Sequence, residues 1–222
     1  MTVLSLGFLT DEYSQIKGLL YSLGSSSNEE FELRFGKLDK TFDTNFSQAK
    51  FFSISNNLEF LNIHKKKEQT VDTVEYKGRY RKITLLKRII NGIETTEKVY
   101  PTYENKIKGK NIDINVVGEI YENNSIMKGI KSTLRFSSSK EQEITEKDWN
   151  NSSEKVNLSV KRVRATYFMD NYKVDLTTKH YGGENSKIVF EVEVEFNNDY
   201  IKSIITEDKG FIKFMGELNT VL

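Results

Sequence analysis

The chain has 222 residues, and its 33 basic and 32 acidic side chains give a formal charge of +1, so the overall field neither favours nor excludes a nucleic-acid partner. It contains no cysteine, which excludes disulfides, thiolate catalysis and zinc–sulfur sites. With His64 and His180 as the only histidines, a bound metal would take mainly oxygen ligands, as Mg²⁺, Ca²⁺ and Mn²⁺ prefer. No stretch approaches the ~20 apolar residues of a membrane helix. We therefore expect one globular domain over residues 1–222, intracellular, in the cytoplasm or nucleus, and without a membrane partner.

The first third of the chain predicts a helix, a strand and a second helical region. Thr10-Asp11-Glu12 resembles a helix start, and apolar residues at helical spacing continue to Gly24. A strand is predicted over residues 29–36. Residues 48–63, rich in phenylalanine, predict a helix or a mixed element.

The rest of the chain is dominated by strand patterns. The tail from residue 198 predicts a closing helix interrupted near Gly210, and the sole proline, Pro101, ends a strand. Beyond the strand at 29–36, about eight strands result, which together with the helices predicts an α+β fold. The further strands are predicted over residues 71–75, 79–90, 94–100, 111–121, 129–137, 157–169, 172–179 and 188–196, with turns at 91–92, 123–124, 170–171 and 182–183.

Two distant strands carry acidic groups on one face. Residues 191–196 read Glu-Val-Glu-Val-Glu-Phe, and residues 30–35 read Glu-Phe-Glu-Leu-Arg-Phe. Strict alternation places the charges on one side of each strand and the apolar groups on the other. Like charges along one face repel each other unless a cation or a basic wall lies beside them. The two segments therefore suggest one divalent-metal site.

Three strands between them carry basic groups in the same alternating way, namely residues 131–136, 162–167 and 172–177. An antiparallel sheet with one solvated face gives this alternation too, and it is the favoured explanation for any single strand. The strands taken together favour another arrangement. If they close into an eight-stranded antiparallel β-barrel with flanking helices outside, a carboxylate wall faces an arginine and lysine wall across the lumen.

Such a lumen is suited to polyphosphate chemistry. Carboxylates hold Mg²⁺ or Mn²⁺, and guanidinium groups grip phosphate oxygens through charge-assisted hydrogen bonds. Phosphoryl transfer depends on charge neutralisation and in-line positioning, so it needs no serine, cysteine or histidine nucleophile. A further glutamate, Glu193 by preference, would orient or deprotonate the attacking water.

This pattern resembles the triphosphate tunnel metalloenzymes, and among them the metal-dependent RNA 5′-triphosphatases of fungal and large-DNA-virus mRNA capping systems. The resemblance rests on three blocks: the acidic strand at 30–36, the basic pair at 162–168 and 172–177, and the acidic strand at 191–195. Their order and rough spacing agree with the family over residues 28–197. It implies an eight-stranded tunnel that removes the γ-phosphate from the 5′ end of nascent mRNA, the first step of capping.

The resemblance also implies roles for individual residues. Ser137 stands where a carboxylate is expected on the middle strand, and Glu141 is the nearest acid. The implied metal ligands for Mg²⁺ or Mn²⁺ are Glu30, Glu32 and Glu195, with Glu191 and Glu193 on the same wall. The implied triphosphate ligands are Arg162, Arg164 and Lys173, with Asp175 orienting them and with Arg81 or Arg79, and Lys131, as further phosphate contacts.

Two other functions stay open. One is an inorganic tripolyphosphatase or nucleoside triphosphatase of the same fold, and the other is a non-catalytic module that binds anions, RNA or a capping partner. The implied partners are triphosphate-ended RNA and a fused or bound guanylyltransferase or methyltransferase, so the chain is either complete or the N-terminal module of a larger capping enzyme. The Asn/Ile/Lys-rich composition is consistent with a viral source.

Two single residues receive structural interpretations. His64 precedes three lysines and is interpreted as solvated surface rather than a metal ligand. Trp149 can stack a nucleic-acid base, but a partly buried loop anchor is favoured.

Overall fold

The computed structural model describes residues 14, 15, 17, 18, 21, 29–38, 40–61, 66–95, 100–122, 125–182 and 186–206. For residues 29, 61, 114–122, 125–132, 205 and 206 it describes the backbone alone. Residues 14, 15, 17, 18 and 21 are helical, within the predicted first helix. The remainder of that helix and the predicted interruption at Gly210 lie outside the described residues.

Ten strands and three helices are assigned within these ranges. The helices are α1 (Gln48–Leu61), α2 (Glu146–Asn151) and α3 (Asn198–Thr206). The strands are β1 (Glu29–Leu38), β2 (Phe42–Asp43), β3 (Lys67–Lys77), β4 (Tyr80–Ile90), β5 (Ile93–Thr95), β6 (Thr102–Glu122), β7 (Ser125–Glu143), β8 (Leu158–Phe168), β9 (Tyr172–Tyr181) and β10 (Lys187–Phe196).

Eight of the strands close into an antiparallel barrel. The order around the barrel is β10-β9-β8-β3-β4-β6-β7-β1, and β1 pairs with β10 to complete the circle. The short strands β2 and β5 pair with the ends of β1 and β4. The predicted α+β fold, an eight-stranded antiparallel barrel with flanking helices, is therefore confirmed.

The hydrophobic core lies between the outside of the barrel and the helices. Alternation along β1 sends Phe31 and Leu33 outward, where they are fully buried, and does the same for Val194 on β10. Helices α1 and α3 cover this face and contribute Phe51, Ile54, Leu58, Ile201 and Ile204 to the core. Since the apolar faces are buried outside, the opposite, charged faces must line the inside of the barrel.

Strands β6 and β7 are longer than the sequence pattern predicts. β6 begins at Thr102 rather than 111, and β7 ends at Glu143 rather than 137. The added residues are mostly polar or charged on both faces, so they lack the apolar alternation that predicts a strand. They are nevertheless paired, because β6 pairs with β7 from Glu104 opposite Glu143 onward, with an irregularity between Lys108 and Asn111.

A short segment fills a gap where β1 and β10 separate. Their pairing ends at Arg34 opposite Glu193, and beyond that point the Phe46 N–H donates to the Phe190 carbonyl at 2.7 Å. Gly36 makes room for this segment, because a Cβ on it would lie 2.3 Å from the Asp43 carbonyl oxygen. Residues 42–46, the wedge segment, thus complete the barrel wall at one end.

Among the described residues, no helix has both the length and the apolar character needed to cross a membrane.

Candidate functional site

The barrel encloses a cavity of about 360 Å³ that is lined almost wholly by charged side chains. In the described part of the chain, sixteen of its nineteen lining residues are Asp, Glu, Lys or Arg, contributed by β1, β4, β6, β7, β8, β9, β10 and the turn between β3 and β4. The lining residues are Glu30, Glu32, Arg34, Tyr76, Gly78, Arg79, Arg81, Ile83, Glu104, Lys106, Lys108, Glu141, Arg162, Arg164, Lys173, Asp175, Lys179, Glu193 and Glu195.

Three carboxylates converge on one wall of this cavity. Glu30, Glu32 and Glu141 each offer an oxygen, and these oxygens lie within 4.8 Å of one another. The register explains the grouping: Glu30 and Glu32 lie opposite Ser139 and Ser137, and Glu141 is the next inward-facing residue of β7. Glu141 thus supplies from further along the strand the carboxylate that Ser137 does not.

The chemistry of this cluster fits a divalent cation. Burial, and then the nearby charges of Glu141 and Glu195, raise the pKa of Glu30 from 4.5 to about 7. The buried Ser139 hydroxyl opposite Glu30 has no hydrogen-bond partner in the described part of the chain. A hard cation coordinated by these oxygens would relieve the repulsion, and carboxylate oxygens are the ligands that Mg²⁺ and Mn²⁺ prefer.

Glu195 lies beside the cluster but is held by a lysine. It is directly opposite Glu32 on the neighbouring strand, and one of its carboxylate oxygens lies 2.8 Å from the Lys173 ammonium nitrogen. Burial raises the pKa of Glu195, and Lys173 opposes that shift. Of the three predicted metal ligands, Glu30 and Glu32 therefore lie in the compact carboxylate group, and Glu195 borders it.

Glu193 is held in its ionised form by arginine. Arg34 Nε lies 2.7 Å from one Glu193 oxygen, and Arg34 also donates to Glu32 at 2.7 Å. Burial alone would raise the pKa of Glu193, but Arg34 and then Arg164 outweigh it and keep that pKa below its ordinary value. A carboxylate of low pKa is a weak base, so this position is better suited to orienting a water molecule than to deprotonating it.

The guanidinium of Arg162 is fixed by a carboxylate that sequence reasoning missed. Its Nε and Nη2 donate to the two oxygens of Asp72 at 2.7 and 2.9 Å, and both side chains are only 7% exposed. Asp72 lies opposite Arg162 in the β3–β8 register. The predicted strand at 71–75 contained Asp72, but its partner strand could not be known without the barrel order.

Arg164 is the more solvent-exposed of the two predicted arginines on β8. Its Nε donates to the Thr177 hydroxyl at 3.2 Å, and Nη1 lies 3.5 Å from Asp175. The Asp175 carboxylate also accepts the Thr166 hydroxyl at 2.5 Å, and its side chain is 6% exposed. The predicted pairing of Asp175 is thus seen with Arg164, whereas Lys173 pairs with Glu195.

Sequence reasoning missed a second group of cations on β6. Lys106 Nζ lies 2.8 Å from Glu32 and 2.9 Å from Glu141, so it touches the acidic cluster directly. Arg81, a predicted phosphate ligand, lies 3.0 Å from Glu104 and is also bonded to Glu141. Inward alternation of Glu104, Lys106 and Lys108 was a visible signal, but the strand was predicted to begin only at residue 111.

Other predicted residues are accounted for outside this network. Glu191, predicted on the same wall as Glu193, is not among the described residues that line the cavity. Its carboxylate accepts a hydrogen bond from the Thr44 hydroxyl of the wedge segment at 2.6 Å and pairs with Lys179, which does line the cavity. Lys131 lies in β7, but its side chain is outside the described part of the structure, as is His64.

Trp149 is a structural anchor. It is 5% exposed in α2, and the Lys77 ammonium lies 4.7 Å from its ring centroid. Lys77 also donates to the Trp149 carbonyl at 3.1 Å. A ring covered in this way is not available to stack a nucleotide base.

Comparison with solved structures identifies the fold. Over 97% of this chain and 93% of the other, the structure matches the S. pombe Pct1 RNA triphosphatase in complex with the Spt5 CTD, with a TM-score of 0.60 and 14% identity. It also matches the RNA triphosphatase domain of a trifunctional mimivirus mRNA capping enzyme over 100% of this chain and 99% of the other, with a TM-score of 0.55 and 13% identity. No protein-family model and no curated protein sequence matches the chain. The chain has the triphosphate tunnel fold of the RNA triphosphatases.

Proposed function

We propose that the protein is a metal-dependent polynucleotide 5′-triphosphatase that removes the γ-phosphate of nascent mRNA, the first step of capping. The observation that carries this proposal is the cavity itself, in which the Glu30, Glu32 and Glu141 carboxylates on one wall face Arg164 and Lys173 on another. The likeness to RNA triphosphatase structures supports the same activity.

The metal would be held by carboxylates. Glu30, Glu32 and Glu195 are the proposed ligands for Mg²⁺ or Mn²⁺, and Glu141 is added because its oxygen lies within 4.8 Å of those of Glu30 and Glu32. When bound, such an ion neutralises phosphate charge and polarises the phosphoryl oxygens.

The triphosphate would be gripped by the basic side chains. Arg162, Arg164 and Lys173 are the proposed ligands, with Arg81 as a further contact and Lys131 retained as a proposal. Asp72 holds the Nε and Nη2 groups of Arg162, and Asp175 lies beside Nη1 of Arg164, so the positions of both guanidinium groups are fixed before substrate arrives. Such preorganised cations stabilise the charge that develops in the transition state.

Glu193 is proposed to orient the attacking water. Its carboxylate is ionised, is fixed by Arg34 at 2.7 Å and borders the same cavity as the carboxylate cluster. A water molecule that donates a hydrogen bond to this oxygen would be positioned for in-line attack on the γ-phosphorus. The proton it releases would pass to solvent or to a phosphate oxygen, since phosphoryl transfer has a loose transition state with little demand for a strong base.

The decisive test is phosphate release from γ-labelled triphosphate-ended RNA with Mg²⁺, with Mn²⁺ and with EDTA. We expect metal-dependent release by the wild type and a loss of at least about 100-fold in Glu193→Ala, with folding retained by circular dichroism. Glu94→Ala is the matched control, because Glu94 is an exposed glutamate of β5 paired with Lys87 outside the cavity. No release with either metal would refute the proposal and favour a non-catalytic module that binds anions or RNA.

A tripolyphosphatase or nucleoside triphosphatase is the second candidate. It is favoured by the charge of the cavity, where groups that bind phosphate far outnumber groups that would read a base. Comparing kcat/KM for triphosphate-ended RNA, ATP and inorganic tripolyphosphate separates the two. The proposals of a capping partner, such as a guanylyltransferase or methyltransferase, and of a viral source depend on the RNA triphosphatase activity. Both would lose their support if tripolyphosphate were the preferred substrate.

A further inference from the structure

One corner of the cavity differs chemically from the rest. Of the nineteen lining residues that the structure describes, three are uncharged, namely Tyr76, Gly78 and Ile83. All three belong to β3, β4 and the turn between them. In the β3–β4 register Tyr76 lies opposite Arg81, and Ile83 lies two residues further along, opposite Val74. Tyr76 and Ile83 are thus diagonal neighbours on the same inner face, a spacing within reach of an aromatic side chain.

The turn beside Tyr76 needs a glycine for its backbone conformation. Gly78 has a φ of +56°, a left-handed conformation that other residues rarely adopt, and the exposed Glu154 side chain lies against it. The next residue, Arg79, is solvent-exposed although it lines the cavity. The opening of the cavity to solvent therefore runs past Tyr76 and Arg79.

A second exposed cation lies at the same opening. The Lys106 backbone N–H donates to the Arg79 carbonyl at 3.1 Å, which fixes the turn against β6. Lys108, two residues further along β6, is exposed and lines the cavity too. The corner thus combines an aromatic ring, an aliphatic side chain and two exposed cations, whereas the interior is a network of ion pairs.

We propose that this corner is a nucleoside subsite in which Tyr76 stacks on the first base of the substrate and Arg79 and Lys108 contact the phosphodiester that follows it. The proposal rests on the proposed function and names its substrate as a nucleotide-bearing triphosphate rather than inorganic tripolyphosphate. A base stacks on any aromatic ring, so the subsite selects for a nucleoside without reading its identity. The triphosphate reaches inward to the charged walls while the RNA chain leaves past the Gly78-Arg79 turn.

The test compares substrates with and without a nucleoside. For Tyr76→Leu we expect KM for ATP and for triphosphate-ended RNA to rise about five- to a hundredfold, the range of one lost base stack. KM for tripolyphosphate should stay within about twofold, because that substrate has no base to stack on Tyr76. Tyr76→Phe should retain the wild-type values, and Tyr100→Leu, an exposed tyrosine outside the cavity, is the matched control. Arg79→Gln should weaken RNA more than ATP.

The outcomes separate this inference from the proposed function. Equal KM changes for ATP and tripolyphosphate in Tyr76→Leu, or none for either, would overturn the subsite while leaving the triphosphatase intact. If the wild type cleaves none of the three substrates, the proposed function fails, and calorimetric titration with ATP and with sodium tripolyphosphate decides the subsite. The subsite is then supported if ATP binds more tightly than tripolyphosphate and Tyr76→Leu removes that difference. It is overturned if ATP binds no more tightly than tripolyphosphate.

Discussion

At the residue scale, the buried pair of Asp72 and Arg162 is a structural as well as a functional element. Both side chains are 7% exposed and are joined by two hydrogen bonds. We predict that Asp72→Ala destabilises the protein by about 3–5 kcal/mol, because it leaves an uncompensated buried cation. The double variant Asp72→Leu/Arg162→Met should recover most of that loss in chemical denaturation. Equal stabilities for the single and double variants would contradict this account.

The contribution of Glu141 to metal binding is a second prediction at this scale. Its carboxylate groups with those of Glu30 and Glu32, and Lys106 and Arg81 lower its pKa to about 2 although burial opposes the shift. We expect Glu141→Gln to weaken Mn²⁺ binding about tenfold or more in a calorimetric titration. Glu94→Gln, outside the cavity, should leave the affinity unchanged. Wild-type affinity in Glu141→Gln would restrict the site to Glu30, Glu32 and Glu195.

At the element scale, the wedge segment depends on a single glycine. A Cβ on Gly36 would lie 2.3 Å from the backbone carbonyl oxygen of Asp43. Because that oxygen belongs to the backbone, it cannot rotate away as the end of a side chain can. We predict that Gly36→Ala lowers the free energy of unfolding by about 1–3 kcal/mol, as overpacking commonly does. The control is Gly182→Ala, where a Cβ would meet no atom of the described residues within 4 Å. A neutral Gly36→Ala would show that the wedge segment moves freely.

The attachment of α1 to the barrel should depend on pH. The Tyr167 hydroxyl donates to Glu59 of α1 at 2.7 Å, and the Lys67 ammonium pairs with the same carboxylate. Burial would raise the pKa of Glu59, but hydrogen bonds from Lys67 and Tyr167 outweigh it and place that pKa below 4.5. A carboxylate whose pKa is lowered by folding stabilises the protein at every pH above its ordinary pKa. This stabilisation is lost as the pH falls through the pKa of the folded state.

Thermal denaturation of wild type and Glu59→Gln measures that dependence. The wild type should be more stable at pH 7, and the gap in Tm should close as the pH falls through the lowered pKa of Glu59, because the glutamate is then protonated and uncharged like the glutamine. Glu94→Gln serves as the control for general charge effects. A Tm gap that is the same at pH 7 and pH 3 would exclude the carboxylate as the cause.

At the scale of the whole molecule, strong alternation in the strands that contact the helices predicted which face of each strand is buried, whereas closure into an eight-stranded barrel was implied by the family resemblance. Residues 30–35 and 191–196 have an apolar face that must be buried and a charged face that cannot be, so their orientation was determined. β6 has weaker alternation, and its cations were missed for that reason. The partner of Arg162 and the closeness of Glu141 to Glu30 depend on strand order and register, which no local pattern contains.

The central claim is that a divalent metal and a triphosphate bind together inside the barrel, and crystals soaked with MnCl₂ and tripolyphosphate test it most directly. We predict an anomalous manganese peak between the carboxylates of Glu30, Glu32 and Glu141, and phosphate density against Arg164 and Lys173. Manganese or phosphate bound only outside the cavity, at concentrations that saturate hydrolysis or binding in solution, would contradict the account.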